Sequence, residues 1–581
     1  MRDDAFYEFS WAANVAAGRG PVVSDGVTTS GVQLLWSVLL VPVAFCCGAA
    51  ALPLVAPWLG LLLHLGAAGV IAVAGRRSSG ALAAAAAALC WLGNPLLVRE
   101  AQNGQETALA AFCAVLLWFA RRGRERWFFV SGALATFART DLFALFALLA
   151  LARLRRHGWR TLLAPTATLA ALFAINRALG GSVLPDSGAP MAWLWHANFA
   201  ATDPTAGETL ARWWWFGRPA LLGGPWQLAG AAGAGLCIGV LLRAVVGHRA
   251  VPWRGLPLAA VVIALALGAA DLVVPLFAGF FALVLPANGS RPLPRDLLAL
   301  VLGAGAIVAL HWAVRWYPRD YYAAPLALLT IAALLRLGRV RWLVTVVAIS
   351  QLVDLVRIRP EPLGGQRAMA LAAHGLGELL PAGERVASFN SGLLTFEADV
   401  LPRGDVGDGT PRGVVNLDGV VDARAFAALQ RHAVLDWLDD LDVRFLVDDP
   451  RQFASDPRQP HANGRWLAPD FDAATALRVL ARFEVPDHPP AVLYWRVGRG
   501  VAPPIPSRSR DLGPFAGGRA VLWAAAVGQT LESESAAGER AALAVAAVDG
   551  AIVVFVPPAR LGSGRLFVRG ETTPVLTLPR L

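Results

Sequence analysis

The mostly apolar N-terminal region contains carboxylates and arginines at a few positions. Two adjacent acids, Asp3 and Asp4, open the chain, Glu106 precedes an apolar block, and Arg139 and Asp141 stand between two further blocks. A carboxylate near a hydroxyl can act as a general base, and a guanidinium offers planar paired donors to a phosphate. These residue types suit a displacement in which a phosphate is the leaving group.

Each of these residues also has a plain structural explanation. Asp3 and Asp4 can form an N-terminal acidic pair for the amphipathic stretch 9–15, because acids there satisfy backbone N–H groups. Arg139 and Asp141 can form a mutual buried ion pair. An ionisable group at membrane depth costs roughly 2.5 to 3.5 kcal/mol, so these residues, with Glu106 and Asp271, mark either solvated loop ends or a hydrated outer cavity.

The elements that must position them are apolar helices. The chain has 581 residues, of which 56% are hydrophobic and 16% charged, with a mean hydropathy of +0.53. Apolar blocks run from residue 31 to 356, and mixed sequence follows Arg359. Since a straight helical crossing needs about 20 apolar residues and several blocks are shorter, we expect roughly ten to twelve helices, some broken or half-length.

Sidedness follows from the basic residues, which are all arginine. They cluster in short gaps between apolar blocks, at 76–77, 121–126, 153–160, 243–254, 291–295 and 336–341. The positive-inside rule places these gaps in the cytoplasm, so the net charge of +10 does not indicate nucleic acid. The outer turns are then 94–105, 139–141, 180–225, the neighbourhood of Asp271, and 311–321, and everything after Arg359 lies outside.

The region after Arg359 predicts two small folded parts. Strands at 385–390, 414–417 and 443–447 with a helix at 423–441 indicate an α/β layer domain. A Pro-rich linker is expected at 502–514, and strands at 520–526, 541–548, 551–557, 565–569 and 575–578 indicate a β module. The predicted boundaries are 1–32 for a first outer loop, 33–358 for the transmembrane domain, 359–500 for the α/β domain, and 501–581 for the linker and β module.

Five short motifs follow one another along the membrane region. They are Asp3-Asp4-Ala5-Phe6-Tyr7 with Gly18-Arg19-Gly20 and Thr29-Ser30-Gly31 before Trp36, then Asn103-Gly104-Gln105-Glu106-Thr107-Ala108-Leu109, Arg139-Thr140-Asp141, Leu184-Pro185-Asp186-Ser187-Gly188, and Trp316-Tyr317-Pro318-Arg319-Asp320-Tyr321-Tyr322. In this order they resemble the outer loops of bacterial C-type (GT-C fold) glycosyltransferases, membrane enzymes that use polyprenyl-phosphate sugars. Residues 388–393 and 415–421 look like an outer domain often attached to this group.

The resemblance implies a mostly α fold, in which a polytopic transmembrane helical GT-C-like module precedes a small α/β extracytoplasmic domain and a C-terminal β-rich module. It implies transfer of a hexose or pentose from a polyprenyl-phosphate donor to an extracytoplasmic glycan, lipid or protein, by inverting single displacement. The expected partners are that donor, its acceptor and the lipid bilayer of a bacterial inner membrane, with no nucleic acid. No cofactor is certain; a divalent metal is an open expectation.

The resemblance also implies roles for individual residues. Asp3 or Asp4 is the catalytic base, Glu106 positions the acceptor or a metal, and Arg139 and Arg319 bind the donor phosphate. Further candidate substrate contacts are Tyr7, Asp141, Asp186, Ser187, Tyr321, Asn416 and Asp418. For Asn416 and Asp418 at a strand end, turn chemistry is the simpler explanation. The tryptophans of the long outer loop, beginning with Trp193, form either a substrate platform or an interfacial aromatic belt.

The chain departs from the family pattern at two places. The family has a membrane helix before the acidic pair, whereas Asp3 follows Met1-Arg2 directly. We therefore expect the upstream DNA to encode an in-frame apolar stretch of roughly 20 residues. Leu34-Leu35 also stands where relatives tend to have a Pro-Leu pair, which affects the docking of that turn.

Two other classes of function fit the composition. A transporter or flippase of lipid-linked glycans would favour paired repeats and polar groups through the whole membrane depth, whereas here the polar groups gather at one face. A non-catalytic membrane scaffold for the outer domains would leave the ordered motifs unexplained.

Overall fold

A computed structural model describes residues 3–199, 295–313, 319–336 and 364–578, apart from short gaps at 25, 382, 402–412, 457–461, 505, 527, 536, 546–549 and 561–562. Three sequence-based expectations lie outside the described residues. They concern Asp271, the tryptophans at 213–226, and the last membrane span at 342–356.

Helices dominate the N-terminal region. They are α1 Asp3–Ala16, α2 Leu34–Cys47, α3 Leu52–Ser79, α4 Ala81–Leu92, α5 Pro95–Ala101, α6 Thr107–Ala120, α7 Glu125–Ala138, α8 Leu142–His157, α9 Leu163–Gly180, α10 Gly188–Phe199, α11 Arg295–Ala313 and α12 Ala327–Arg336. Short 3-10 turns at Ala49–Ala51, Trp159–Leu162 and Asp320–Leu326 join some of them.

Among the described residues, two helical segments are long and apolar enough to cross a membrane, Ala49–Ser79 and Trp159–Gly180. The bent pair α4 and α5, with an angle of 58° between its halves, would make a third crossing, and α2 and α6 are shorter apolar helices. Broken and half-length helices were expected from the block lengths. Several apolar blocks of the expected ten to twelve helices lie outside the described residues.

The break between α4 and α5 is built so that freed backbone groups keep hydrogen-bond partners. The Asn94 side chain accepts from the amides of Leu96 and Leu97, at 3.1 and 3.3 Å. On the other side of the break, the imidazole Nε2 of His64 on α3 lies 3.4 Å from the carbonyl oxygen of Leu92. These bonds give partners to backbone groups that the break removes from the helical hydrogen-bond pattern.

The C-terminal region holds α13 Gly364–Leu379 and two sheets. The strands are β1 Val386–Ser388, β2 Val415–Asn416, β3 Phe445–Asp448, β4 Leu477–Glu484, β5 Ala491–Arg496, β6 Arg510–Phe515, β7 Gly518–Ala525, β8 Thr530–Glu534, β9 Arg540–Val545, β10 Gly550–Val556, β11 Arg565–Val568 and β12 Leu576–Thr577. The short helices are α14 Ser391–Thr395, α15 Ala423–Gln430, α16 Val434–Asp440, α17 Gly464–Leu467 and α18 Ala473–Ala476. The predicted α/β character is therefore present.

Alternation along the first strands explains the layers of this domain. Val386 and Phe445 pack in the same apolar cluster as α13 and α14, whereas the next residues, Ala387 and Leu446, pack with α15 and α16. Successive strand residues point to opposite faces, so a strand that is apolar at every position needs helices on both sides.

The larger sheet crosses the predicted boundary at 500/501. Its order is β2-β1-β3-β5-β4-β10-β7-β6, and β10 runs parallel to β4 with Ala551 opposite Ala481. The two predicted modules thus share one eight-stranded sheet, while β12-β11-β8-β9 form a second sheet. Hydrogen bonding between distant strands leaves no local signal in the sequence, which is why the boundary was drawn at the Pro-rich segment.

Two local predictions need correction. The segment predicted as a linker at 502–514 contains most of β6, which pairs antiparallel with β7. The helix predicted at 423–441 is two helices, because His432 takes a positive φ of 53° and ends the first one. Its Nδ1 lies 3.0 Å from the carbonyl oxygen of Arg465, which fixes the turn.

Helix α1 lies between the membrane helices and the C-terminal domain. It contacts α2 on one side and α14 on the other. The rings of Phe6 and Phe9 lie 5.7 and 5.8 Å from the ring of Phe396, and all three residues are buried. The acidic pair therefore begins a helix, as its alternative explanation proposed, and this helix joins the two halves of the molecule.

Candidate functional site

Asp4, at the start of α1, lies where two outer segments meet, one with Gln105 and one with Arg319 and Tyr321. Its carboxylate accepts hydrogen bonds from the Tyr321 hydroxyl at 3.0 Å and the Gln105 side-chain amide at 3.3 Å. A guanidinium nitrogen of Arg319 lies 3.7 Å away, and the side chains of Asp4 and Arg319 are 36% and 35% exposed. Asp4 is therefore oriented by neutral donors, close to a cation, and open to solvent.

Asp3 has a different environment although it is the adjacent residue. Its two carboxylate oxygens accept from the backbone amides of Gly392 and Leu393, each at 2.9 Å. Burial raises the pKa of Asp3 to about 6, and these two amides oppose the rise. A side chain at position 392 would collide with Asp3, since an added Cβ would lie 2.4 Å from the Asp3 carbonyl oxygen. Both carboxylate oxygens of Asp3 are therefore used in the contact between α1 and α14.

The loop that carries Gln105 is held by α2 and by its own side chains. Gly104 takes a φ of +81°, which favours glycine, and its carbonyl oxygen accepts from the Trp36 indole N–H at 2.9 Å. The side-chain amide of Asn103 donates to the Gln105 side-chain oxygen at 2.9 Å and to Glu100 at 3.2 Å. These bonds leave the Gln105 amide N–H₂ directed to Asp4.

Two further carboxyl groups, Glu8 and Glu106, are buried with 4% exposure each. Glu8 follows Asp4 by one helical turn, so both lie on the same face of α1. Burial, and then the nearby Glu106, raise the pKa of Glu8 well above its ordinary value. Burial likewise raises the pKa of Glu106, which precedes α6, to about 7, against the opposing effect of Arg139.

Arg139 forms the buried ion pair that was its alternative explanation. It is 2% exposed, its Nε donates to Asp141 at 3.1 Å, and a second nitrogen also contacts that carboxylate. The remaining donors reach the backbone carbonyl oxygens of Tyr321 and Tyr322, at 3.0 and 2.9 Å. Asp141 also lies 2.9 Å from the imidazole Nε2 of His311. Arg139 therefore fixes the backbone that presents the Tyr321 hydroxyl to Asp4.

Asp186 and Ser187 join two outer loops. The Asp186 carboxylate accepts from the Thr29 hydroxyl and the Ser30 amide, both at 2.9 Å, and the Ser30 hydroxyl accepts from the Asp186 amide at 3.2 Å. The Ser187 carbonyl oxygen accepts from the Met191 amide at 3.2 Å where α10 begins. The Asp186 contacts connect the Thr29-Ser30-Gly31 motif to the Leu184–Gly188 motif.

Tyr7, Asn416 and Asp418 form one polar network with Ser391. The Tyr7 hydroxyl donates to Asp418 at 3.1 Å and accepts from the Asn416 side-chain amide at 3.1 Å. The same amide donates to the Ser391 hydroxyl at 2.8 Å. Burial raises the pKa of Asp418 to about 7. The turn explanation holds as well, since Asp418 accepts from the Val420 amide at 2.7 Å.

Sequence reasoning missed several of these positions. Gln105 was quoted only as part of a motif, and Ser391 only as part of a domain resemblance. Glu8 carried a usable signal, because a carboxyl one turn after Asp4 interrupts an otherwise apolar helix. No sequence signal indicated Asp448. It is 0% exposed and accepts from the Ser388 hydroxyl and the amides of residues 389 and 390, at 2.8 to 2.9 Å.

Trp193 was expected either on a substrate platform or in an aromatic belt. It packs against the α/β domain, with its ring 4.6 Å from Trp466 and 6.0 Å from Phe426. The contact connects α10 to the helices of that domain. The other tryptophans of this outer loop lie outside the described side chains.

In the described part of the chain, no group of three or more His, Cys, Asp or Glu side chains is placed to hold a metal ion. The divalent metal remains an expectation from the resemblance.

The described residues define a membrane protein with apolar spans, a folded C-terminal α/β part, and a carboxylate site at their junction. Comparisons with protein-family models and with curated proteins find no match. Solved structures similar to the chain include two of ArnT from Cupriavidus metallidurans. The structure bound to undecaprenyl phosphate is 15% identical with a TM-score of 0.39, over 86% of this chain and 94% of that one. The apo structure is 14% identical with a TM-score of 0.40, over 84% of this chain and 93% of that one.

Proposed function

We propose that the protein is a membrane glycosyltransferase that transfers a sugar from a polyprenyl-phosphate donor to an acceptor outside the cytoplasm. The observation that carries the proposal is the environment of Asp4. This carboxylate is half-exposed, oriented by Tyr321 and Gln105, and adjacent to Arg319. A base and a cation beside one open position are what the displacement of a phosphate by a hydroxyl requires.

The chemistry assigned to these residues is a single displacement. Asp4 accepts the proton of the acceptor hydroxyl while the hydroxyl oxygen attacks the anomeric carbon. The bond from that carbon to the phosphate oxygen breaks, and its electron pair leaves with the polyprenyl phosphate. Arg319 stabilises the charge that develops on the phosphate. Attack opposite the leaving group inverts the anomeric carbon, and the proton remains on Asp4.

Other site residues act through position. Asp3 anchors the start of α1, and Arg139 anchors the backbone of Tyr321. Glu106 lies buried next to Gln105 and retains the proposed role of acceptor positioning. We place the protein in the bacterial inner membrane, with the site and the C-terminal domain on the outer side. This assignment rests on the arginine pattern.

The test compares the two adjacent acids. In membranes of a strain deleted for the gene, Asp4→Asn is expected to lower sugar transfer by about 10²-fold to 10⁴-fold, because the amide cannot take a proton. The assay uses undecaprenyl phosphate carrying tritiated hexose or pentose as donor and the native envelope fraction as acceptor. Asp470→Asn, an exposed acid of the α/β domain, is the matched control.

Two outcomes contradict the proposal. Full transfer by Asp4→Asn at unchanged expression would remove the base assignment. Absence of transfer by the wild type with every donor tried would favour the alternative, a flippase or transporter of lipid-linked glycans. That alternative is then measured as movement of the same donor across proteoliposomes.

A further inference from the structure

The contact between α1 and the C-terminal domain is extensive and polar at its centre. The Tyr7 hydroxyl sits among Ser391, Asn416 and Asp418, with distances of 3.3, 3.1 and 3.1 Å. One turn earlier, Asp3 receives the backbone amides of Gly392 and Leu393. Two turns of one helix are thus bonded to two loops of the domain.

Close backbone packing reinforces these bonds. Gly31 of the first outer loop lies against Val420, and an added Cβ would lie 2.2 Å from the Val420 carbonyl oxygen. Val421 packs in one apolar cluster with Tyr7, Trp11 and Val23. The loop 416–421 therefore packs against α1 at Tyr7 and Trp11, and no side chain fits at position 31.

The domain loops are themselves rigidly held. The buried Asp448 at the end of β3 accepts from Ser388, Phe389 and both nitrogens of Asn390. Asn416 accepts from the Gly419 amide at 3.0 Å. The receptor for α1 is consequently formed by the ends of β1, β2 and β3, and its shape depends on the folded domain.

We propose that the α/β domain is part of the catalytic unit, in which Tyr7, Asn416 and Asp418 are positioning residues that hold α1 so that Asp4 faces the open site. This inference rests on the proposed function. It replaces the substrate-contact role expected for Tyr7, Asn416 and Asp418, because their polar atoms are engaged with one another.

A helix held at two turns transmits small shifts to every residue on it. Asp4 lies between the two anchoring contacts, and a displacement of the order of 1 Å can cost about 10²-fold in rate. Loss of the Tyr7 network should therefore lower turnover. It should leave the apparent KM values unchanged, since no substrate contact is removed.

The experiment uses the full-length chain in native-like membranes with the tritiated donor and the envelope fraction. Tyr7→Phe keeps the ring and removes the hydroxyl that both donates and accepts, and Asp418→Asn removes the charge. We expect each to lower kcat by about 10- to 100-fold, with the apparent KM for donor and envelope fraction within about 2-fold of wild type. Tyr494→Phe on β5, away from α1, should behave as wild type.

The double variant gives a second, independent measurement. Tyr7→Phe with Asp418→Asn should lose less activity, and less Tm, than the product and sum of the single effects, because both changes act on one shared hydrogen bond, which Tyr7→Phe removes and Asp418→Asn deprives of its charge. Additive Tm effects would overturn the network. The Tm measurement remains informative if a variant expresses poorly.

Three kinetic results separate the possibilities. A raised KM for the envelope fraction at unchanged kcat would overturn the inference and restore the substrate-contact role. Wild-type kinetics in both single variants and in the double variant, together with an inactive Asp4→Asn, would overturn this inference and leave the proposed function standing. A wild type without any transfer would remove the proposed function, and the inference with it.

Discussion

At the scale of single residues, two neighbouring acids have different surroundings because they lie on different faces of one helix. Successive residues of an α-helix point about 100° apart, so Asp3 and Asp4 at the start of α1 cannot face the same surroundings. Asp3 meets the amides of the C-terminal domain, and Asp4 meets Tyr321, Gln105 and Arg319. The sequence indicated an acidic pair that serves either as a cap or as a base. In the structure Asp3 accepts from two backbone amides at the start of α14, whereas the side chain of Asp4 is 36% exposed, and the base role of Asp4 stays a proposal.

The two arginines differ in the same way, which gives a prediction. Arg319→Gln should raise the apparent KM for the polyprenyl-phosphate donor about 10-fold or more, since the half-exposed guanidinium is a charged donor to phosphate. Arg139→Gln should instead lower the amount of folded protein and kcat, because it leaves Asp141 buried without its cation. Steady-state kinetics and detergent Tm values distinguish the two. Equal increases in donor KM, with no loss of Tm for Arg139→Gln, would show that both arginines bind donor.

At the scale of elements, helix packing depends on where glycine allows a close approach. An added Cβ at Gly60 of α3 would lie 2.2 Å from the Ala101 carbonyl oxygen at the end of α5. A Cβ added at Gly69, on the same helix, would have no neighbouring atom within 4 Å. The short α5 precedes the loop that carries Gln105, so the approach of α3 to α5 also supports the site.

A matched pair of substitutions tests this packing. Gly69→Ala should leave stability unchanged or raise it by roughly 0.5 to 1 kcal/mol, because alanine is the better helix former. Gly60→Ala should destabilise the protein by about 1 to 3 kcal/mol, since the backbone must move to admit the methyl group. Thermal unfolding in detergent measures both. A Gly60→Ala protein as stable as Gly69→Ala would mean that α3 and α5 are farther apart than described.

At the scale of the whole molecule, the sequence predicted what depends on local pattern and missed what depends on distant pairing. Turn residues and strand alternation located β1, β7 and β10 within a few residues. The assembly of Asp4 with Gln105 and Tyr321 brings together three segments that lie more than a hundred positions apart in the sequence, and only the ordered motifs indicated it. The shared sheet of β4 and β10 left no such hint, because backbone hydrogen bonds do not depend on side-chain identity.

The arrangement of charged groups along the helices leads to a prediction about topology. Arg121 and Arg122, after α6, pair with Asp296 at the start of α11, at 2.8 and 3.0 Å. The arginine-rich gap at 121–126 thus lies beside the start of α11. Arg139, at the other end of α7, lies instead with Tyr321 and the Asp4 site.

Trp127 and Trp159, beside the arginine turns, are 57% and 66% exposed, as expected at a membrane–water interface, and the positive-inside rule assigns that interface to the cytoplasm. Reporters that are active only in the cytoplasm should therefore work when inserted at Gly123 and Gly158 and fail after Leu581. Alkaline phosphatase, which folds only outside, should give the reverse pattern at the same three positions. A cytoplasmic signal after Leu581 would place the C-terminal domain inside. The Asp4 site, which that domain contacts through α1, would then face the cytoplasm and could not serve an outer acceptor.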